Sequence, residues 1–149
     1  HIGYNYRLSN ICAAIGCGQM EVLTERVAAR RKNFEKYKEA FADVKSIYLP
    51  DEPEGYFSNR WLSTIVIEPS KTKDHKTRED VRLKLETLNI ESRPLWKPMH
   101  LQPVFEKHRS FMDGTSEQLF NNGLCLPSTS SLSNEHHQLV VNTIREVVQ

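Results

Sequence analysis

The apolar residues repeat at helical spacing through the N-terminal stretch and then change period, and this change limits what the chain can fold into. Leu8, Ile11, Cys12, Ile15, Val22 and Leu23 fall on one helical face, with Ser9 or Asn10 placed to cap its start. Ala13, Ala14, Gly16 and Gly18 crowd the middle of that stretch. A glycine inside a helix costs about 1 kcal/mol relative to alanine, so close approach of a second helix, or a break between two helices, is expected there. That face is expected to be buried. Val27, Phe34, Tyr37, Phe41 and Val44 continue at spacings of seven, three, four and three and predict a long amphipathic helix ending before Pro50. Its other face mixes both signs of charge, including Arg30 and Arg31, and reads as solvated.

Beyond a polar stretch over 50–59 that carries two prolines and a glycine, the period becomes that of a strand. Trp61 to Ile67 is rich in β-branched and aromatic residues and is bounded by Pro69. Thr77 with Asp80 three residues on is a capping-box signature. It opens a helix whose apolar face is Val81, Leu85 and Leu88, and Asn89 is placed as a left-handed cap at its end. Ile90 to Leu95 can pair as a strand only until Pro94, and Asn122 to Pro127 is a short apolar strand after a turn signal. Ser133 caps a final helix with the stripe Leu139, Val140, Thr143, Ile144, Val147 and Val148. This alternation gives an α+β fold of about three mostly antiparallel strands with helices on one face, preceded by the long helix. Two parts are expected: a helical segment over 1–49 and a small α+β domain over 50–149.

At 149 residues, with a formal charge of +1, the chain has no global field to favour nucleic acid or an anionic membrane. No apolar run approaches the roughly 18–20 residues that a membrane helix needs. Cys12, Cys17 and Cys125 show no paired spacing and sit in apolar contexts, as buried free thiols in a reducing cytoplasm would. The six histidines have no paired ligand spacing, and no nucleophile elbow is present. The chain begins with His, and its densest motif falls within the first ten residues, so a fragment of a longer protein is expected.

Two segments hold more polar specificity than a structural role requires. In Gly3 to Asn10 (GYNYRLSN), Asn5 and Arg7 alternate with Tyr4 and Tyr6 just ahead of a helix start. Amide donors, a guanidinium and free backbone N–H groups converging on one oxyanion make a phosphate cradle. In Glu91 to Gln102 (ESRPLWKPMHLQ), Arg93, Trp96, Lys97 and His100 lie within eight residues, on a backbone stiffened by two prolines. Cations suit a pyrophosphate, an indole offers a stacking surface for a base or sugar, and an imidazole can donate to a sugar oxygen. From the residues alone, a rigid loop without ligand remains an open alternative.

These segments together resemble the DegT/StrS-type sugar aminotransferases, a branch of the fold-type-I pyridoxal-phosphate enzymes. The resemblance rests on GYNYRLSNICAAIGCGQMEVL, then on Arg30-Arg31 and Asn33-Phe34, and runs through ESRPLWKPMHLQPVF to LCLPSTSSLSNEHHQLVVNTI. It implies the small C-terminal domain of a pyridoxal 5'-phosphate enzyme whose larger upstream domain carries the Schiff-base lysine. Residues 1–49 would then link to that domain and contribute to a homodimer interface. Asn5 resembles the asparagine that reaches the cofactor phosphate of the partner subunit. Arg7, Arg93, Trp96, Lys97 and His100 resemble substrate contacts, His100 near the hexose, and Lys97 holds a phosphate rather than forming the Schiff base.

The implied reaction moves an amino group from glutamate to C4 of a nucleotide-linked 4-keto-6-deoxy sugar. The wording of the second loop is similar to the subgroup acting on UDP-linked N-acetylhexosamines for bacterial surface glycans. Two alternatives stay open: the dehydratase variant of the family, with histidine in place of the upstream lysine, and a non-catalytic module that binds nucleotide sugars or dimerises.

Overall fold

The computed structural model describes residues 6–149. Helix α1 (Asn10–Glu21) is followed at Val22 by α2 (Leu23–Ala40), then by strands β1 (Ile47–Tyr48) and β2 (Ser63–Ile67) and helix α3 (Arg78–Thr87). Next come β3 (Arg93–Pro94), α4 (Thr115–Asn122), β4 (Gly123–Leu126) and α5 (Asn134–Val148). The strands form one antiparallel sheet in the order β1-β2-β4-β3. The expected α+β architecture is borne out, with one strand more than the three foreseen. β1 adds two residues at the edge, pairing Ile47 with Ile67 and Tyr48 with Val66.

Local chemistry sets the element ends. The Ser9 hydroxyl accepts from the Cys12 amide at 3.2 Å and starts α1. At α3, Thr77 and Asp80 form a reciprocal capping box. Its hydrogen bonds to Thr77 hold the Asp80 carboxyl below the usual carboxylate range. Asn89 follows α3 in the left-handed conformation at φ 57°, and the Ser133 hydroxyl accepts from His136 N at the start of α5. The α1–α2 break falls at Val22 rather than at a glycine.

Side chains alternate across a strand, so Ser63, Ile65 and Ile67 of β2 share a face with their cross-strand neighbours Leu126, Leu124 and Ile47. That face packs against Phe34, Tyr37, Phe41 and Val44, Val81 and Leu85 of α3, and Val140, Val141, Ile144 and Val148 of α5. Burying such side chains is worth roughly 1.5–3 kcal/mol each, and this cluster is the only large apolar interior among the described residues. Tyr37 lies within it, its hydroxyl donating to Pro127 O at 3.0 Å. Burial pushes the phenol pKa well up. His137 packs on the Tyr37 ring at 4.1 Å between centroids. Its pKa is held down by burial and by the Lys36 ammonium.

Three expectations are corrected here. The α1 face is not buried within this chain: no residue of α1 is buried, Ile11 is 74% exposed, and a Cβ at Gly16 or Gly18 would meet nothing within 4 Å. Cys12 and Cys17 are exposed with it, and only Cys125 is the buried thiol expected. The helix carries an apolar stripe, but the elements around it in this chain do not cover that stripe. Arg30 and Arg31, read as part of a solvated face, instead clamp backbone from distant segments. Arg30 Nη1 donates to Trp61 O at 2.6 Å and Ser128 O at 3.1 Å. Arg31 donates to Ser58 O and pairs with Glu52 at 2.9 Å, which keeps the Glu52 carboxyl below its usual range.

Candidate functional site

The second face of the sheet carries Thr64, Cys125 and Arg93, which are register neighbours across β2, β4 and β3. β3 is an edge strand, where Pro94 forfeits no ladder donor, and Leu95 N continues the pairing to Gly123 O at 3.2 Å. A Cβ on Gly123 would collide with the Leu95 side chain and the Leu119 carbonyl, so only glycine lets the Trp96 loop lie this close to the sheet. Trp96 follows directly. Its indole meets that of Trp61, just ahead of β2, at 6.2 Å between centroids and an inclination of 34°.

Below the indoles lies a cleft of about 430 Å³, lined by Leu62, Arg93, Pro94, Cys125, Leu126 and Pro127 among others. The Ser128 hydroxyl in its wall is fully engaged, accepting from Ser63 N and donating to Leu126 O, both at 2.7 Å. The Ser92 hydroxyl oxygen, also in the wall, is buried without a hydrogen-bond partner. Arg93 is exposed and paired with Glu91, Nε to Oε1 at 2.7 Å. Burial in the cleft floor pushes the Cys125 thiol pKa up, which makes it an inert lining group rather than a nucleophile.

The five sequence-predicted substrate residues do not all converge. Arg93 and Trp96 share the cleft, whereas Lys97, next in sequence to Trp96, is exposed and is not part of its lining. His100 sits in a 3₁₀ turn over Met99–Leu101 and lines a separate recess of about 310 Å³ with Met99, Phe105, His108 and Arg109. Its Nε2 lies 2.9 Å from Glu117 Oε1 of α4, and its side chain is only 15% exposed. A carboxylate on one ring nitrogen fixes the imidazole's orientation and leaves the other nitrogen to act. Arg7 is exposed just ahead of the capped start of α1. Asn5 lies outside the described residues. Trp61, Ser92 and Glu117 were missed as site residues; Trp61 was read as the first residue of a strand, and Glu117 is separated from His100 by seventeen positions.

A four-stranded antiparallel sheet backed by helices is the α+β architecture of the small domain of fold-type-I enzymes. The profile of the DegT/DnrJ/EryC1/StrS aminotransferase family matches residues 1–145, and the chain belongs to that family. EpsN of Bacillus subtilis (strain 168), which carries the provisional name of a pyridoxal phosphate-dependent aminotransferase, is 38% identical over 147 residues, covering 96% of this chain and 37% of that protein. The GDP-perosamine synthase of Escherichia coli O157:H7 is 34% identical, covering 97% of this chain and 38% of that protein. A solved DegT DnrJ EryC1 StrS aminotransferase from Brucella abortus superposes with a TM-score of 0.80 at 28% identity, covering 97% of this chain and 37% of that one. The chain thus spans well under half the length of the relatives it matches.

Proposed function

We propose that this chain is the C-terminal portion of a pyridoxal-phosphate-dependent aminotransferase that moves an amino group from glutamate to C4 of a nucleotide-linked 4-keto-6-deoxy sugar. We take the sugar to be a UDP-N-acetylhexosamine, on a cytoplasmic route to bacterial surface glycan. The observation that carries this reading is the Arg93–Trp96 cleft in a chain matched over 1–145 to an aminotransferase family. The GDP in the name of the E. coli relative supports a nucleotide-linked sugar and makes a GDP sugar the competing substrate.

Residues 1–49 are proposed to join the large domain and enter a homodimer interface, with 50–149 as the small domain. The exposed apolar stripe of α1 supports that role, because about 74% exposure of a residue such as Ile11 is costly unless something covers it. This chain offers the edge of a phosphate site rather than a whole cofactor pocket: Arg7 is exposed just before the capped N-terminus of α1, where positive partial charge gathers. Asn5 and Arg7 would hold the cofactor phosphate and adjacent substrate groups, from one subunit into its partner's site. When bound, the cofactor supplies an electron sink for proton movement at the substrate carbons. Arg93 and Lys97 contribute positive charge toward the diphosphate, Trp96 an aromatic surface, and His100 a polar ring near the hexose, its Nε2–H held by Glu117 so that Nδ1 accepts from a sugar hydroxyl.

The test is the full-length protein with pyridoxal phosphate, glutamate and a UDP-linked or GDP-linked 4-keto-6-deoxy sugar. Formation of 2-oxoglutarate matched by an amino sugar, both dependent on the keto sugar, supports the assignment. Loss of a sugar hydroxyl with no nitrogen gained by the sugar identifies the dehydratase variant, and nucleotide-sugar binding with no turnover identifies a binding module.

A further inference from the structure

Asn122 is the only asparagine in the chain that is followed by glycine, and the fold makes no turn there. It is the last residue of α4, and Gly123 opens β4 in an extended conformation at φ −93° and ψ 142°. Gly123 has to be glycine because Leu95 and the Leu119 carbonyl fill the place of a Cβ. The pair also carries a chemistry of its own. With no side chain beside it, a glycine amide nitrogen can reach the carboxamide carbon of the preceding asparagine. The nitrogen bonds to Cγ, the carboxamide C–N bond breaks, and ammonia leaves with the amide proton. Water then opens the cyclic imide at either carbonyl, giving aspartate or a backbone-lengthened isoaspartate. Nothing is oxidised or reduced, and water is the only other reactant.

We propose that Asn122–Gly123 is a site of spontaneous deamidation that the last turn of α4 keeps closed and that fraying of this turn opens. Attack needs the Gly123 nitrogen free and turned toward Cγ. In the fold its N–H donates to Leu119 O, and the helical backbone of Asn122 turns that nitrogen away from the side chain. The helix end is further held by Arg78, whose Nε donates to Asn121 O at 2.6 Å. α4 is only eight residues long, and the ends of short helices open locally at little cost. Water has access, because Asn122 lines a groove of about 650 Å³ between α4 and the β1–β2 edge, with Lys45, Tyr48 and Glu68. Either product puts a carboxylate at the C-terminus of α4, against the helix dipole. Isoaspartate does more, since its extra methylene lies in the main chain ahead of Gly123. That glycine is fixed on one side by its pairing with Val66 and on the other by Leu95, whose N–H it accepts at 3.2 Å. The helix end and the strand register cannot both be kept. α4 also carries Glu117, so a shift of this helix takes the carboxylate from His100.

The experiment ages the full-length protein, its Arg78→Met, Gln118→Gly and Asn122→Gln variants, and a synthetic peptide of residues 117–124 at mildly alkaline pH, and follows each asparagine by peptide mass mapping. In the folded protein Asn122 deamidates at least about tenfold more slowly than in the peptide, yet ahead of the other asparagines in residues 6–149. Arg78→Met, which frees the helix end, raises the Asn122 rate roughly three- to tenfold and leaves Asn142 of α5 unchanged. Gln118→Gly, at an exposed position of α4, raises it about fivefold through helix propensity alone and decides the point should Arg78→Met fail to fold. Another asparagine of this stretch reacting ahead of Asn122 overturns the site. A rate in the protein equal to the peptide's, or one unmoved by the α4 variants that fold, overturns control by the helix end. Protein aged until isoaspartate predominates at position 122 should unfold at a lower urea concentration than fresh protein, whereas aged Asn122→Gln should match its fresh counterpart. Equal midpoints for the aged and fresh unsubstituted protein contradict the clash of register.

Discussion

Replacing Arg30 with methionine keeps the aliphatic packing of the side chain on α2 but removes both hydrogen bonds from its Nη1, at 2.6 Å to Trp61 O and 3.1 Å to Ser128 O. Hydrogen bonds from a charged donor contribute roughly 1.5–3 kcal/mol when desolvated, and the Trp61 contact lies on the exposed side, so the two together are worth about 2 kcal/mol. In the full-length protein the loss is local, because the guanidinium ties the strand entry and the β4 exit to one helix. Amide hydrogen exchange should therefore accelerate roughly thirtyfold in peptides covering 60–64 and 127–130, by the relation of 1.4 kcal/mol per tenfold. Exchange in α3 should not change. Arg26→Met is the control, since Arg26 reaches only Ser130 Oγ at 3.5 Å on the exposed surface and is expected to alter exchange by no more than about twofold. If Arg30→Met accelerates these peptides no more than Arg26→Met does, the clamp carries no load and the reasoning fails.

Gly123→Ala should destabilise the protein by roughly 1–3 kcal/mol in urea unfolding, because the new methyl meets the Leu119 carbonyl and the Leu95 side chain while the backbone angles at Gly123 are ordinary; an unchanged midpoint would show that the loop moves aside freely. His137 is held neutral in the fold, since burial and Lys36 lower its pKa, whereas the unfolded chain protonates near pH 6.5; stability should fall as pH drops from about 6.5 toward the folded value. His137→Phe should flatten that part of the urea-midpoint profile, and parallel profiles would contradict the account. Lys97→Met should leave the cofactor covalently trapped by borohydride in the full-length protein, while loss of the trapped species would show that Lys97 is itself the cofactor lysine.

Features written in a few adjacent residues were legible in the sequence. The caps at Ser9, Thr77 and Ser133 and the left-handed Asn89 depend only on neighbours within one turn, and all four take the positions expected. β2 and β4 were legible from their β-branched and apolar runs. β1 was not, because two residues carry no period and Ile47–Tyr48 becomes a strand only when β2 lies beside it. Arg30 and Arg31 looked like a solvated charge stripe because their acceptors, the Trp61, Ser128 and Ser58 carbonyls, are backbone groups that no side-chain pattern announces. The second loop was legible as a cluster in sequence but not as a division in space. The 3₁₀ turn at Met99–Leu101 carries His100 to Glu117, while Arg93 and Trp96 stay with Trp61 at the cleft.

The most direct test of the central claim follows the amino group itself. The full-length protein is incubated with pyridoxal phosphate, nitrogen-15-labelled glutamate and a UDP-linked 4-keto-6-deoxy-N-acetylhexosamine, with the GDP-linked 4-keto sugar in parallel, and the sugar product is read by NMR. The account predicts the label bonded to C4 of the sugar, with one equivalent of 2-oxoglutarate formed. A sugar that carries no label, or that has lost a hydroxyl while glutamate stays intact, would contradict it.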